Sequence, residues 1–533
     1  MKSKFLSFCY AGMVAVCVWG GPSVALAVTS PEAVVTVLGS PGTAEIFSIT
    51  TPSPPITPVT VNNYPTDLAI TPDGREAWVC NDYVGIVSVI DLASKTVVAN
   101  VSILGRATPH IAITPDGTEA WVVNPHEKLV SVINIASRTL VNSSIPIGSV
   151  GAYLAFTPDG KQAWVCNVGD NNLSIIDTAS RTPIGLVPVG VNPLDIAMTP
   201  DGKQAWVTNA GGTTVSVIDT SFSHPTVNIF VGIAPNRIAM TPDGTQAWVT
   251  AGGLPTNQIA VIDVATQTVL NYVPGSISQS IAFSPDGKQA WSITPVPGTV
   301  HEYNRLSQTL VQTLTFSNPT QDLAITPDQA PTARFAVTTN GVVASFDASA
   351  SSSPYGSIAT YAWNFGDGSP VQNVAIPQIS YSYAQVGTYT VTLTVTNTQG
   401  TSTTQTFTGT TVSNNGGPSA QTSQQITVDF APPQFTGNPK IHKDQKKLFL
   451  KTTWSASPSS TVSRYQITGK KKTRAIIPAT RKRKYLLRLH PQHIQHKHLS
   501  KKYRRYLEKK YSIRALTANG VPSTATPLRI VPK

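Results

Sequence analysis

The chain has 533 residues, 41% of them hydrophobic and 12% charged, and a formal net charge of +12. This length is enough for several cores. No segment after the N-terminus is apolar for long enough to predict a transmembrane helix, which excludes a helical membrane protein. Residues 431–533 hold 25 Lys and Arg against two acidic residues, whereas the rest of the chain is acidic. The basic part is therefore expected to meet an anionic partner.

The first 27 residues have the pattern of a secretory signal peptide. Lys2 and Lys4 precede an apolar stretch, and Ala25-Leu26-Ala27 forms an A-x-A cleavage site. The sequence thus predicts an exported protein that resides at the cell surface, in the periplasm or outside the cell.

The segment Pro-Asp-Gly-x-x-Ala-Trp occurs six times, and successive tryptophans are 42 or 43 residues apart. They are Trp78, Trp121, Trp164, Trp206, Trp248 and Trp291. A period near forty residues with four short strands per unit predicts a β-propeller. Pro-Asp-Gly suits a tight turn, because Pro presets φ, Asp bonds nearby backbone and Gly accepts positive φ. We therefore interpret these aspartates as turn residues and not as calcium ligands.

A half-unit at each end of the repeats predicts how the ring closes. Residues 322–328 read as an inner strand with no tryptophan strand after it, and residues 32–62 supply the three strands that are missing. The prediction is a seven-bladed propeller over residues 28–330, whose last blade is completed by the N-terminal strands. Such closure removes exposed strand edges.

Two cysteines remain after the signal peptide, at equivalent positions of two different blades. Cys80 and Cys166 are separated by a whole blade, and a disulfide needs Cα atoms about 4.4–6.8 Å apart. We expect two buried free thiols.

The repeat Ala-Trp-Val-Thr-Asn followed by Val-Ser-Val-Ile-Asp, at residues 205–209 and 215–219, resembles the YVTN-type repeat of surface-layer propellers. The resemblance covers about residues 32–328, with Trp-Val where that family has Tyr-Val. It implies a secreted or cell-surface protein, and most members have no defined activity.

The region after the propeller reads as a second domain, over residues 331–415. Phe346-Asp-Ala-Ser, Tyr361-Ala-Trp-Asn-Phe-Gly-Asp-Gly and the alternating run from Gly387 to Asn397 resemble a polycystic-kidney-disease-type (PKD) β-sandwich. In that family the domain often serves as a spacer between catalytic or adhesive domains. Trp363 is expected in the core.

The last part of the chain predicts a linker and a third domain. The run from Asn414 to Gln425 is rich in Asn, Gly, Ser and Gln, and residues 416–430 are therefore predicted to be a linker. Residues 431–533 resemble a fibronectin type III sandwich, with a basic, histidine-rich insertion between Leu489 and Lys510 that departs from the family. The fold class is thus all-β: a seven-bladed propeller followed by two sandwiches.

The basic domain contains the predicted anionic-partner site. Its bases alternate with tyrosines, a pattern that suits phosphate contact with stacking. The residues are Arg481, Lys482, Arg483, Lys484, Lys501, Lys502, Arg504, Arg505, Lys509 and Lys510. In an exported protein, an anionic envelope component or acidic polymer is favoured over genomic nucleic acid, and the acidic propeller is an alternative counter-partner.

The propeller funnel is the candidate ligand site. The residue at the entry of each inner strand differs in chemical type from blade to blade, because the scaffold does not fix its identity. The seven residues are Asp67, His110, Tyr153, Asp195, Arg237, Ser280 and Asp322. We expect them to ring one mouth of the channel, as a site for a protein or glycan or as a solvated rim.

No catalytic residue, cofactor or metal site is predicted. His490, His493, His496 and His498 could hold a soft divalent metal, but nearby lysines favour a solvated cationic loop. The main functional hypothesis is an exported surface or extracellular binding and adhesion protein, with the propeller as recognition platform and the basic domain as electrostatic anchor. The alternative is a propeller enzyme, similar to lactonases or lyases, with its site in the funnel.

Overall fold

The computed structural model describes residues 31–51, 54–103, 110–221, 226–252, 258–275 and 279–429. It also describes the backbone of nine strands between Lys440 and Pro527. The predicted signal peptide lies outside these residues. Among the described residues, no helix has the length and apolar character needed to cross a membrane.

The described residues between Glu32 and Ile325 form a ring of seven four-stranded antiparallel sheets. The chain opens with three strands, β1 (Glu32–Val37), β2 (Thr43–Ser48) and β3 (Thr57–Thr60). Blade 1 is β4 (Pro65–Ile70), β5 (Glu76–Asn81), β6 (Ile86–Asp91) and β7 (Thr96–Ser102). Blade 2 is β8 (His110–Ile113), β9 (Glu119–Asn124), β10 (Leu129–Asn134) and β11 (Thr139–Pro146). Blade 3 is β12 (Gly151–Phe156), β13 (Gln162–Asn167), β14 (Asn172–Asp177) and β15 (Thr182–Pro188).

The next three blades repeat this order. Blade 4 is β16 (Pro193–Met198), β17 (Gln204–Asn209), β18 (Thr214–Asp219) and β19 (Val227–Phe230). Blade 5 is β20 (Pro235–Met240), β21 (Gln246–Ala251), β22 (Gln258–Asp263) and β23 (Thr268–Pro274). Blade 6 is β24 (Ser280–Phe283), β25 (Gln289–Thr294), β26 (Thr299–Asn304) and β27 (Thr309–Thr315).

The seventh blade is composite. Its inner strand β28 (Thr320–Ile325) pairs antiparallel with β1, and the sheet order is β28-β1-β2-β3. Residues almost 300 positions apart in sequence are thereby adjacent, with Val34 opposite Ala324. This is the arrangement that the half-repeats at the two ends of the propeller predict.

The repeated tryptophans fill the space between neighbouring blades. All six are fully buried, and Trp121 meets Phe156 of the next blade edge to face at 5.5 Å. The indole of Trp78 donates to Glu76, whose other oxygen accepts a bond from Arg138 of the next blade. Buried tryptophans therefore tie neighbouring blades together, and a cross-blade ion pair adds to this contact between blades 1 and 2.

The Pro-Asp-Gly turns lie together at one end of the ring, which we call the turn face. In blade 1, Asp73 Oδ1 accepts bonds from Thr71 Oγ1 and the Arg75 backbone N–H. Gly117 has φ +71°, and a Cβ there would stand 3.1 Å from Pro72 of the preceding blade. The aspartates serve the turns, as the sequence predicts, and the glycines allow the turns to interlock.

The second domain is a β-sandwich that follows the ring. Its strands are β29 (Asp328–Gln329), β30 (Ala336–Asn340), β31 (Val343–Asp347), β32 (Ile358–Asn364), β33 (Gln372–Val374), β34 (Gln378–Ser382), β35 (Gly387–Asn397), β36 (Thr406–Phe407), β37 (Val412–Asn415) and β38 (Gln421–Val428), with a single 3-10 turn at Pro418–Ala420. The sheets are β30-β31-β34, β33-β32-β35-β38 and β29-β37-β36. Trp363 is fully buried in the sandwich core, as expected.

The predicted linker is wrong for residues 421–428. They form β38, which pairs antiparallel with β35 along eight residue pairs. Ile426 and Val428 point into the sandwich core and are nearly fully buried. The polar composition misled the prediction, because the other face of this strand is a row of Ser, Thr and Gln in contact with solvent.

The C-terminal part is all-β in its described backbone. Its strands are β39 (Lys440–Asp444), β40 (Lys447–Thr453), β41 (Arg464–Gly469), β42 (Lys472–Pro478), β43 (Lys484–Leu489), β44 (Ile494–Gln495), β45 (His498–Leu499), β46 (Tyr511–Leu516) and β47 (Thr526–Pro527). They form the sheets β39-β40-β43 and β42-β41-β46-β47 and the small hairpin β44-β45. That hairpin lies within the predicted basic insertion.

Candidate functional site

The seven variable residues at the inner strands lie inside the channel and not at an open rim. Asp67, Asp195, Ser280 and Asp322 are each less than a tenth exposed. Six of the seven line one internal cavity of about 80 Å³, namely Asp67, Tyr153, Asp195, Arg237, Ser280 and Asp322. His110 stands beside this cavity, against Asp67 and Tyr153. The structure thus brings the predicted residues together, but places them deeper than the sequence suggests.

Four of these side chains bind the backbone of the next blade. In each case an oxygen accepts a bond from the N–H of the residue that follows the same position one blade on. The bonds are Asp322 to Leu68 at 3.0 Å, Asp67 to Ile111 at 2.7 Å, Asp195 to Ile238 at 2.9 Å and Ser280 to Leu323 at 3.3 Å. These residues therefore have a structural role, which the sequence did not reveal because the donor is backbone.

The other three form a stack of planar groups. The rings of His110 and Tyr153 have centroids 3.6 Å apart, and the Arg237 guanidinium lies 3.6 Å from the Tyr153 ring centroid. Arg237 Nε donates to the backbone oxygen of Gln279 at 2.5 Å. Its Nη1 is buried and has no hydrogen-bond partner among the described residues. A ligand with an acceptor atom could satisfy that donor.

Burial dominates the electrostatics of the cluster. It raises the pKa of Asp67 to about 6, of Asp322 to about 7 and of Asp195 to about 8. Asp67 and Asp322 also share a hydrogen bond between their carboxyl groups, while Arg237 favours the charged form of both. One carboxyl group thus keeps a proton near neutral pH.

The two basic groups respond to burial in the opposite direction. Burial lowers the pKa of His110 to about 3, with the charge of Arg237 as a further cause, and that of Arg237 to about 10. His110 Nδ1 is 3.6 Å from Asp67 Oδ2, but the neutral imidazole makes no ion pair with it. Arg237 is therefore the single cation of the cluster at neutral pH.

A hairpin of the sandwich forms the wall of the cavity on the side of the turn face. Thr408, Thr410, Thr411 and Ser413 line the cavity opposite the aspartates. The backbone oxygens of Thr408 and Gly409 accept bonds from the N–H groups of Met198 and Phe156, at 2.9 and 3.0 Å. No motif in the sequence indicated these residues as part of the site.

The cluster suits binding of a small polar group. It combines one cation, a proton-sharing carboxyl pair and several hydroxyls in a space that holds a few water-sized groups. Among the described residues, no group of three or more His, Cys, Asp or Glu could hold a metal ion. Cys80 and Cys166 are buried free thiols, as expected, and burial raises their pKa values.

The end of the ring opposite the turn face is not covered by any of the described side chains, and we call it the free face. It comprises the loops between the second and third strands of each blade and the loops between blades. Large apolar side chains are exposed there, from 37% at Val84 to 74% at Val296. Where the structure describes both domains, the sandwich contacts the opposite end, through bonds such as Gln329 to Pro72 and Gln405 to Pro115.

The predicted anionic-partner site lies outside the described residues, except for Lys484, whose backbone begins β43. The same holds for His490, His493 and His496, while His498 is described only as backbone of β45.

Comparisons with solved structures return ring-shaped neighbours of low identity. Hydrazine synthase of Kuenenia stuttgartiensis has 21% identity and a TM-score of 0.44, over 48% of this chain and 88% of its own. A protein of unknown function from Desulfotomaculum acetoxidans has 18% identity and a TM-score of 0.46, over 56% of this chain and 98% of its own. A putative 6-phosphogluconolactonase of Bacteroides uniformis has 16% identity and a TM-score of 0.47, over 56% of this chain and 100% of its own. The propeller assignment rests on the sheet topology itself.

Sequence comparison identifies one domain. No curated protein matches the chain in sequence. Residues 328–412, by contrast, match the family model of the PKD domain. The sandwich that closes the turn face of the ring is therefore a PKD domain.

Proposed function

We propose that this chain is an exported binding and adhesion protein, in which the free face of the propeller recognises a partner and the basic C-terminal segment anchors the molecule to an anionic envelope or polymer. The observation that carries the proposal is the division of the ring into two ends. The PKD domain occupies the turn face, and no described side chain covers the apolar free face. The basic segment follows the PKD domain in sequence.

Composition supports the anchor. A segment of about a hundred residues with 25 bases and two acids repels itself unless an anion compensates it. The signal-peptide pattern and the PKD domain both agree with a location outside the cytoplasm. Anionic glycans and lipids are then the accessible partners.

The alternative is an enzyme with its site in the funnel, similar to lactonases or lyases. Raised carboxyl pKa values in a cavity are typical of catalytic sites. However, Asp67, Asp195 and Asp322 already accept hydrogen bonds from backbone N–H groups of the next blade, and this structural role accounts for their burial. The geometry therefore favours binding over catalysis.

The anchor is tested with the full mature chain and a variant in which the ten bases of the predicted site are changed to Gln. Binding to immobilised heparin, lipopolysaccharide and RNA is measured across a salt series. We expect the wild-type affinity for heparin or lipopolysaccharide to fall steeply with salt, because each phosphate or sulfate contact releases a counterion. The variant should bind more weakly and with a flatter salt dependence.

The matched control neutralises exposed bases of the propeller, Arg75, Lys161, Lys203 and Lys288. It should bind as the wild type does. Equal loss in the control and the variant would show that net charge alone attracts the probe. Absence of binding by the wild type would reject the anchor and point to the acidic propeller as partner of the basic segment.

A further inference from the structure

The free face exposes apolar side chains around its whole circumference. They come from six of the eleven loops of this face that the structure fully describes, and each is between 37% and 74% exposed. The residues are Tyr64, Tyr83, Val84, Val150, Val191, Ile233 and Val296. Single exposed apolar residues are normal on a protein surface, but a set of seven on one face indicates an interaction surface.

Two of these exposed apolar residues also have a strained backbone conformation. Tyr64 and Val150 have φ of +53° and +52°, a region that bulky and β-branched residues rarely adopt. Both precede the first residue of an inner strand, and at the same position Asn192 and Ala234 have φ of +50° and +48°. The loop itself therefore accepts a polar or small residue. Because Tyr64 and Val150 are exposed and strained, the folded chain alone gains little from them.

The free face is nearly uncharged. In its eleven fully described loops, exposed formal charges occur only at Glu127, Lys128 and Asp170. The turn face, in contrast, has an exposed acid–base pair in several turns, such as Asp159 with Lys161 and Asp201 with Lys203. A highly charged polymer would find little complementary charge on the described loops of the free face.

We propose that the free face is the contact between two copies of this chain, which meet face to face. An uncharged surface can be opposed to itself without repulsion, and its few charges are of both signs, so that Lys128 of one copy can approach Glu127 or Asp170 of the other. The eleven loops contain 45 residues, more than the roughly 20–30 per partner of a standard interface. The proposal rests on the proposed function and names the partner that the free face recognises.

The geometry gives this contact a role in adhesion. The PKD domain covers the turn face, so contact through the free faces leaves both PKD domains on the outer sides of the dimer. Two molecules anchored on separate surfaces could then hold those surfaces together. The channel mouths of both copies would be covered in the process.

Sedimentation velocity of the full mature chain tests the proposal, at nanomolar to tens of micromolar concentration and in low and high salt. We expect a dimer that persists in high salt, because apolar contacts are not screened. Val191→Asp with Ile233→Asp should raise the dissociation constant at least a hundredfold, since acids of the two copies would face each other. Leu306→Asp, at a 96% exposed apolar residue in a turn-face loop, is the matched control and should remain dimeric.

A second variant separates association from folding. Val150→Gly removes an exposed apolar side chain, so it should weaken the dimer at least tenfold. Because glycine also relieves the strained φ, the change should not lower the melting temperature of the monomer. A wild-type chain that is monomeric at all concentrations would overturn the proposal, and so would equal dissociation by Leu306→Asp. Association that vanishes in high salt would assign the contact to the basic segment instead. None of these results would alter heparin binding, which tests the anchor separately.

Discussion

Asn124 and Ser131 form a buried polar pair that recurs along the chain. The Asn124 amide donates to Ser131 Oγ at 2.8 Å, and the same bond joins Asn167 with Ser174 and Asn209 with Ser216. In blade 5 both members are replaced together, by Ala251 and Ala260. A buried polar group without a partner costs free energy, so the pair is kept or lost as a unit.

This pair gives a prediction for a double-mutant cycle. Asn124→Ala leaves Ser131 buried without this donor and should lower the free energy of unfolding by about 1–3 kcal/mol. Asn124→Ala with Ser131→Ala should cost less than the sum of the single changes, because no hydroxyl is then stranded. Urea denaturation of the four proteins measures the coupling. Strict additivity would contradict a shared role of the two residues.

The buried aspartates predict a pH dependence of stability. A pKa raised in the folded state means that folding binds protons, so this stabilisation is complete below the unfolded pKa and is lost as pH rises. The lowered pKa of His110 acts in the opposite sense below its ordinary value of 6.5. The effect of the aspartates on stability is therefore separated from that of His110 between pH 6.5 and about 8, the pKa of Asp195.

In that window the free energy of unfolding should fall as pH rises, by up to about 1.4 kcal/mol per pH unit for each proton released. Asp195→Asn should flatten the decline, because its side chain no longer titrates. Thermal denaturation at several pH values checks both statements. A stability that stays constant between pH 6.5 and 8 would mean that these carboxyl groups are already ionised in the folded protein.

At the scale of elements, the hairpin between β36 and β37 joins the two domains. It supplies acceptors for the N–H groups of Phe156 and Met198 on the channel side of two inner strands. Gly409 at its tip has φ +89°, and a Cβ there would stand 2.6 Å from the Met198 backbone nitrogen. Only glycine fits this approach.

Gly409→Ala should therefore displace the hairpin from the ring. Hydrogen exchange of the Phe156 and Met198 amides is the measurement, and both should lose protection while the tryptophan strands keep theirs. Gly400→Ala is the control, since Gly400 also has positive φ, at +86°, but open space around it. It carries the backbone strain without the clash, and should leave both amides protected.

At the scale of the whole molecule, propeller and PKD domain share a core. Phe407 and Val412 of the hairpin are buried in one cluster with Trp121, Leu154 and Phe156 of blades 2 and 3. Such a shared core predicts that the two domains unfold together. Sequence similarity alone would describe them as separate modules on a chain.

Phe407→Ala should break this coupling. We expect a loss of about 3–5 kcal/mol and a calorimetric transition that separates into two, one for each domain. Phe346→Ala, in the core of the PKD domain away from the ring, is the comparison and should lower stability without changing the fluorescence environment of Trp121. One unchanged transition in Phe407→Ala would mean that other contacts join the domains.

The sequence by itself determined the repeated parts of this protein. Pro-Asp-Gly and the tryptophan six residues after its proline recur because each of the six continuous blades needs the same tight turn and the same filled gap, and such local requirements appear as a period. The half-repeats at residues 32–62 and 322–328 likewise indicate ring closure, since unpaired strands would otherwise remain exposed.

Only the tertiary structure decided what happens at the two ends of the ring. The hairpin at Gly409 enters the turn face through backbone bonds, which carry no residue signature. Asp67, Asp195 and Asp322 look like a ligand rim until their N–H partners on the next blade are seen. The same contacts place the PKD domain at the turn face and not at the free face. These features depend on residues far apart in sequence, and no local pattern records which surfaces meet.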